Sequence, residues 1–373
     1  MNNRFWFLPC RSDSSRSRRI LFHTINHVGL GHINRAIAVA QWLQAALPDL
    51  QVLFLIEGGE DFIEPTGYPW ILIPGQASEY EHAEQIARQT IAAFQPDVLI
   101  HETLLRPTLH RAAQDARIKQ IVMGSLGEAL RDQFHYHLPL LNEVHQLIVL
   151  QQQTEVLPAD QALIAHHNGP TLYAGPLVRY KKQPHNGMLR TKFGLNPEQK
   201  ILLITFGGGG WDIARSLLNT IQAAREQILS KHPQTRLIVI PGPHFSGDLP
   251  TVDDFVCYVS RFEPFLNDFV DIASAVVMMA GYSTVNEIAA SGIPAVCVPA
   301  LDAEDQVGAG GMGEYAQTFP NITVSTPDPH TLTQHILDAL ERKHDFSAVQ
   351  SFWQRAEAAS QKIVASILHV INN

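Results

Sequence analysis

The sequence predicts an α/β protein made of two Rossmann-like, doubly wound halves that face each other across a cleft. Three observations carry this expectation. Short apolar runs alternate with helical periodicities through most of the chain, the pattern of parallel strands joined by crossover helices. The alternation breaks at a polar, turn-rich stretch after Gly175 and then starts again. In both series a glycine turn stands between the end of an apolar run and the start of a helix, where backbone N–H groups can meet an anion. With 373 residues, each half is long enough to bury its own core.

The first series opens with a strand at 19–25 and the loop Gly29-Leu30-Gly31-His32-Ile33-Asn34-Arg35. A helix over 33–47 carries Ile33, Ile37, Ala40, Leu43 and Leu47 on its inner stripe. Strands follow at 51–56 and 70–74, a helix at 79–94, and strands at 97–101, 118–123, 146–150 and 171–174. Gly175-Pro176, Lys181, Lys182, Pro184 and Asn186-Gly187 mark a linker. The second series has a strand at 200–205, a turn at 207–210, a long helix at 211–231 and strands at 237–240 and 255–259. The apolar run 275–279 is followed by Gly281, which can take a positive φ, and Val285, Ile288 and Ala289 then stand at helical spacing until Gly292. Strands at 294–299 and 321–324 and two helices complete the chain. The division that follows is a poorly ordered leader at 1–18, a first domain at 19–177, a second at 178–350, and a last helix at 351–373 returning toward the first.

Composition narrows the function. A net charge of -9 argues against nucleic acid as a partner, and no apolar run reaches the length of a membrane span. Cys10, Cys257 and Cys297 are far apart and odd in number, which suits a reduced, cytoplasmic setting. Phe5 to Leu8, followed by Arg11, Arg16, Arg18 and Arg19, is too short for a secretory signal. Beside the disordered-leader reading stands a weak peripheral contact with the anionic inner face of a membrane.

The polar residues at the glycine turns are the candidates for chemistry. Arg35 lies in the first turn of a helix, where the macrodipole disfavours a cation by ~0.3–1 kcal/mol. Either it meets an anion or it pairs with a nearby acid. His32, at the same helix start, is a candidate general base, against the plainer reading of a histidine bonded to local backbone. Glu102 and Glu128 could serve as base or orient His32, or could be a cap and a surface acid. Gly207 to Gly210 form a run without the lysine of a P-loop, suited to close approach of backbone to a diphosphate. Thr284 to Glu287 fits a capping box, with ribose binding by Glu287 as the alternative. Asp302, Glu304, Asp305 and Gln306 form either a solvated loop or, at Asp305 and Gln306, a hydrogen-bonding edge for a sugar. His135 and His137 lack a third ligand nearby, so no metal site is expected.

Three motifs, G-L-G-H-I-N-R-A, T-F-G-G-G-G and A-G-Y-S-T-V-N-E-I-A-A-S-G-I-P-A-V-C-V-P, occur in that order. The set resembles the bacterial glycosyltransferases related to the peptidoglycan N-acetylglucosaminyltransferase, whose fold is called GT-B. The resemblance runs from about Arg19 to Val324. It implies a UDP-sugar donor in the second half, an unknown acceptor in the first, and inversion at the anomeric carbon with neither metal nor cofactor. Gly208, Gly209, Gly281, Tyr282, Ser283 and Thr284 would then hold the diphosphate, Glu287 the ribose, Gln306 the sugar, and the backbone near Arg261 and Phe262 the uracil. His32, in the loop with Gly29, Gly31 and Arg35, would deprotonate the acceptor hydroxyl or orient its phosphate. That loop is closer to a predicted-glycosyltransferase branch and to nucleotide-sugar hydrolases. The alternatives are therefore a nucleotide-sugar hydrolase, a UDP-sugar 2-epimerase of the same fold, and a non-catalytic nucleotide-sugar-binding protein.

Overall fold

The computed structural model describes residues 17–25, 30–58, 66–74, 80–125, 134, 137–179, 186–263, 266–301, 303, 306–307 and 310–373. The first half runs β1 (Arg19–Ile25), α1 (Gly31–Ala46), β2 (Gln51–Glu57), β3 (Trp70–Ile73), α2 (Tyr80–Phe94), β4 (Val98–Glu102), α3 (Pro107–Asp115), β5 (Lys119–Gly124), β6 (Gln146–Val149), α4 (Pro158–Ile164) and β7 (Thr171–Tyr173). The second runs α5 (Asn186–Lys192), β8 (Lys200–Thr205), α6 (Ile213–Ala223), α7 (Arg225–Lys231), β9 (Thr235–Ile240), β10 (Val256–Val259), α8 (Leu266–Ile272), β11 (Ala275–Met279), α9 (Tyr282–Ser291), β12 (Ala295–Val298), α10 (Met312–Gln317), β13 (Ile322–Val324), α11 (Pro329–Glu341) and α12 (Phe346–Asn372).

Among the described residues the first sheet has the order β3-β2-β1-β4-β5-β6-β7 and the second β10-β9-β8-β11-β12-β13. Every pairing is parallel. Both are doubly wound sheets, and each has its topological switch point between the first strand and the fourth, at β1/β4 and β8/β11. Strands buried on both faces explain the unbroken apolar runs in the sequence. In β1, Ile20 and Phe22 join one core with Ile33, Ile37 and Leu43 of α1, while Leu21 joins the other with Ala87, Ile91 and Leu109 of α2 and α3. Phe352 and Ala356 of α12 lie in the core of the second half, and Ile363, Val364 and Ile367 lie in that of the first. Lys119 Nζ donates to the carbonyls of Val370 (2.8 Å) and Ile371 (3.3 Å), a cation where the helix dipole wants one.

Several expectations need correction. The helix expected over 211–231 is two helices, 213–223 and 225–231, divided at Ala224, whose ψ of 1° at φ -78° departs from the α-helical ψ of about -42°. The linker contains the start of α5, and α3, α4, α8 and α10 were not anticipated as helices. Prolines at the start of α3 and α4 supply a preset φ and lack an N–H the first turn would leave unbonded. Gly281 has φ -84° and does not use the positive φ open to glycine; Gly292 does (+71°), where it ends α9. Residues 1–16 of the expected leader lie outside the described residues, as do Cys10 and His135. No helix among the described residues is long and apolar enough to cross a membrane.

Candidate active site

At the β1/β4 switch point Glu102, the last residue of β4, is wholly buried and faces the first turn of α1. Its Oε1 accepts from Arg35 Nε at 2.6 Å and from the Thr103 hydroxyl at 2.9 Å. Its Oε2 lies 2.8 Å from His32 Nδ1. Burial alone would push this carboxyl up; Arg35 first, then His32, outweigh it and hold the group below the ordinary 4.5. Arg35 is 6% exposed, so of its two readings the pairing with an acid is the one seen. His32 keeps 27% of its side chain exposed, and its Nδ1 is engaged by Glu102 rather than by local backbone. When Nδ1–H donates to the carboxylate, Nε2 carries the lone pair.

At the β8/β11 switch point the two glycine corners meet. Among the described residues, a Cβ placed on Gly207 or on Gly281 would meet nothing nearer than Thr284 Oγ1, 4.0 Å away in either case. Ser283 Oγ, at the start of α9, is buried and among the described residues has no hydrogen-bond partner. These features leave polar atoms and open space where a helix start favours an anion. The rest of the glycine run also makes contacts within its own half. Gly209 N–H donates to the Phe206 carbonyl, and the Gly208 carbonyl accepts from His244 N–H. Gly242 (φ +114°) presses so close that its Cβ would lie 2.4 Å from Gly207 O. Within the run, Gly207 (φ +64°) and Gly209 (φ +75°) lie in the left-handed region, and a Cβ on Gly209 would also lie 2.5 Å from Pro241 O.

The remaining candidates divide. Glu287 is not the acid of a capping box: Gly281 is the N-cap, so Thr284 lies inside the helix, and Glu287 Oε1 instead sits 3.1 Å from Arg179 Nε. Arg179, just past β7, was missed; nothing but its place after a Gly-Pro turn marks it. Gln306 is buried and not part of a solvated edge, its Oε1 accepting from Ala300 N–H at 2.9 Å. The Phe262 carbonyl accepts from Ser260 Oγ at 2.8 Å, and Arg261 donates to the carbonyls of Phe245 and Gly247. Gly31 opens α1, with Arg35 Nη1 3.5 Å from where its Cβ would be. Gly29, Glu128 and Asp305 lie outside the described residues, as do Asp302 and Glu304. Among the described residues no group of three or more His, Cys, Asp or Glu is placed to hold a metal.

Tyr282 joins the two sites. It is the first residue of α9, yet its hydroxyl donates to Leu150 O at 2.6 Å and accepts from Leu177 N–H at 3.2 Å, both in the first half. Burial pushes its phenol up, which keeps it neutral and able to donate. The Arg35 guanidinium carbon lies 5.4 Å from its ring centroid, a cation–π distance. Arg35 and Tyr282 therefore link the His32–Glu102 pair to the start of α9, with the Tyr282 hydroxyl bonded to the first half.

Two parallel, doubly wound sheets joined in this way form the architecture of the GT-B glycosyltransferases. Spinosyn forosaminyltransferase SpnP superposes with a TM-score of 0.62 at 14% identity, over 96% of this chain and 100% of that one. Acinetobacter baumannii MurG gives 0.57 at 17% identity over 94% and 99%, and Medicago truncatula UGT71G1 complexed with UDP-glucose gives 0.60 at 11% over 96% and 99%. In sequence the chain is similar to the UDP-N-acetylglucosamine--N-acetylmuramyl-(pentapeptide) pyrophosphoryl-undecaprenol N-acetylglucosamine transferase of Parabacteroides distasonis, 24% identical over 373 residues, 92% of this chain and 96% of the relative. The protein of the same name from Exiguobacterium sp. is 24% identical over 304 residues, 72% and 76% of the two chains. No protein-family model matches. The resemblance carried by the three glycine motifs thus extends to nearly the whole chain.

Proposed function

We propose that this protein is an inverting glycosyltransferase that moves a hexose, N-acetylglucosamine being the first candidate, from a UDP-sugar to an acceptor hydroxyl. The observation that supports it is the His32–Glu102 pair, linked through Arg35 and Tyr282 to a helix start whose Ser283 hydroxyl is buried and, among the described residues, unpartnered. His32 Nε2 takes the proton of the acceptor hydroxyl, and Glu102 stabilises the imidazolium that results. The acceptor oxygen attacks the anomeric carbon from the face opposite the leaving group, and the bond to UDP breaks with its electron pair leaving on the phosphate. Removal of the proton by a positioned base supplies roughly 10²–10⁴ in rate. The α9 N-terminus, Ser283 and Thr284 take up the charge developing on UDP, the task a metal performs elsewhere. On this reading EDTA leaves turnover unchanged.

Thermal unfolding with UDP and a panel of UDP-sugars tests the donor half. A ligand specific for the folded state adds ~2.7 kcal/mol at about a hundredfold excess over its Kd. UDP should raise the melting temperature, UDP-N-acetylglucosamine should raise it further, and His32→Ala should keep both shifts while losing turnover. No shift with any uridine nucleotide at millimolar concentration would overturn the proposal. Stoichiometric sugar release without an acceptor would reassign His32 to activating water.

A further inference from the structure

Thr103 follows β4 with φ +64°, in the left-handed region that a β-branched residue rarely enters. Among the described residues Gln95 and Arg117 share a positive φ, but they follow the ends of α2 and α3, where that conformation ordinarily terminates a helix. Thr103 ends a strand. Leu104 N–H donates to the Glu102 carbonyl at 2.9 Å, so residues 102–104 form the three-residue turn with positive φ at its centre, the strained form of that turn. Gly124, at the end of β5, makes room for it: a Cβ there would lie 3.1 Å from Thr103 Oγ1 and 3.3 Å from Thr103 Cα. The fold thus holds a strained residue at the end of the strand that carries Glu102, where strain often marks function.

The strain delivers a hydroxyl to one place. Thr103 Oγ1 donates to Glu102 Oε1 at 2.9 Å and accepts from Arg35 Nη2 at 3.1 Å. Arg35 Nη2 also lies 2.8 Å from His32 Nδ1, the atom that Glu102 Oε2 approaches at 2.8 Å. Nδ1 can take only one of these roles. Either it carries a proton and donates to Glu102, or it carries a lone pair and accepts from Arg35, which places the proton on Nε2 and removes the base. By accepting from Arg35 and occupying Oε1 alongside Arg35 Nε, the Thr103 hydroxyl favours the first state, with Oε2 kept for the imidazole.

We infer that Thr103 is a positioning residue that selects the His32 tautomer with Nε2 free to act as base. This rests on the transferase reading of His32, and its test is built to separate the two. Long-range ¹H–¹⁵N spectra of histidine side chains, with the His32 signal identified by its loss in His32→Gln, report the tautomer without substrate. UDP release from UDP-N-acetylglucosamine in the presence of a panel of hydroxyl acceptors, and the UDP-induced melting shift, are measured on the same proteins. Thr103→Val, which keeps the shape and loses the hydroxyl, should move His32 toward Nε2–H and lower kcat roughly ten- to a hundredfold, part of what a general base contributes. Its donor KM and UDP shift should stay as in wild type. Thr103→Ser should restore both tautomer and kcat. Thr103→Gly relieves the turn, so it should melt no lower than Thr103→Val while sharing its tautomer, which keeps the test open if the valine variant folds poorly. Wild-type tautomer in both Thr103→Val and Thr103→Gly, or failure of serine to restore it, overturns the inference. Absence of any UDP-induced melting shift in wild type would instead remove the transferase reading and leave the tautomer result standing.

Discussion

Lowering the pH from about 7 to about 4.5 should weaken the fold by an amount that His101 largely sets. Its imidazole is wholly buried, with Nε2 3.0 Å from Gln120 Oε1 and Nδ1 3.4 Å from His23 Nδ1. Burial first, then the neighbouring His23, push its pKa from 6.5 down to about 3. The folded protein therefore keeps His101 neutral where an unfolded chain would protonate it. Its contribution is complete above 6.5 and is lost as the pH falls, until the folded group itself titrates near 3. Each pH unit inside that window is worth ~1.4 kcal/mol, so reaching pH 4.5 removes on the order of 2.5–3 kcal/mol. Glu57 acts in the same direction lower down. Burial alone would push its carboxyl up, but His23 and Arg106 hold it at about 2 against an ordinary 4.5, so its contribution is present above 4.5 and lost toward 2. The slope should roughly double, to ~2.8 kcal/mol per pH unit, where the two windows overlap. Urea unfolding followed by circular dichroism across the upper window, on wild type and His101→Gln, reads the effect as a difference in slope. His145, His167, His232 and His344 are pushed down by burial too, but are common to both proteins and subtract out. Parallel stability–pH curves for the two proteins would refute the assignment.

Two further outcomes follow from the site. Arg35→Met should cost ~3–5 kcal/mol, because it leaves the buried Glu102 carboxylate without its cation; adding Glu102→Gln should recover much of that loss. A double-mutant cycle by urea unfolding measures the coupling, and additive effects would show that the pair is not one unit. Gly242→Ala should cost at least ~2 kcal/mol through its positive φ and the contact with Gly207 O, and should also shrink the UDP-induced melting shift, since the glycine corner must move.

Much of this was legible in the sequence because glycine corners and apolar periods are local signals. The α/β alternation and the candidacy of His32, Arg35 and Glu102 were legible in this way; the strand order that brings the three to one switch point was not. What escaped depends on contacts far along the chain. The tight fit of Gly242 on Gly207 joins the loop after β9 to the loop after β8, and no spacing announces it. Glu287 looked like a cap because Thr284 stood three residues before it, but the helix starts at Tyr282, nearer the strand, and Arg179 takes the carboxylate. The histidines looked scattered. His23 and His101 become partners only because β1 lies beside β4 with those residues in register, and Gln120 then passes the file on to His110 and Glu143.

The alternation of β4 decides which histidine Glu102 can meet. His101 is its neighbour in sequence, and a strand sends successive side chains to opposite faces. Leu99 packs with α2 and α3, and Ile100 packs with α1. By the same parity His101 points toward His110 and Gln120, while Glu102 points toward α1. The partner of Glu102 therefore has to come from α1, 70 residues away in sequence. The strand order places β4 directly beside β1, which brings the first turn of α1 over the end of β4. On that turn His32 and Arg35 stand three apart, the spacing that puts two side chains on one face of a helix. A single carboxylate can then hold the arginine with one oxygen and the imidazole with the other. A shift of either residue by one position would carry it about 100° around the helix and away from Glu102.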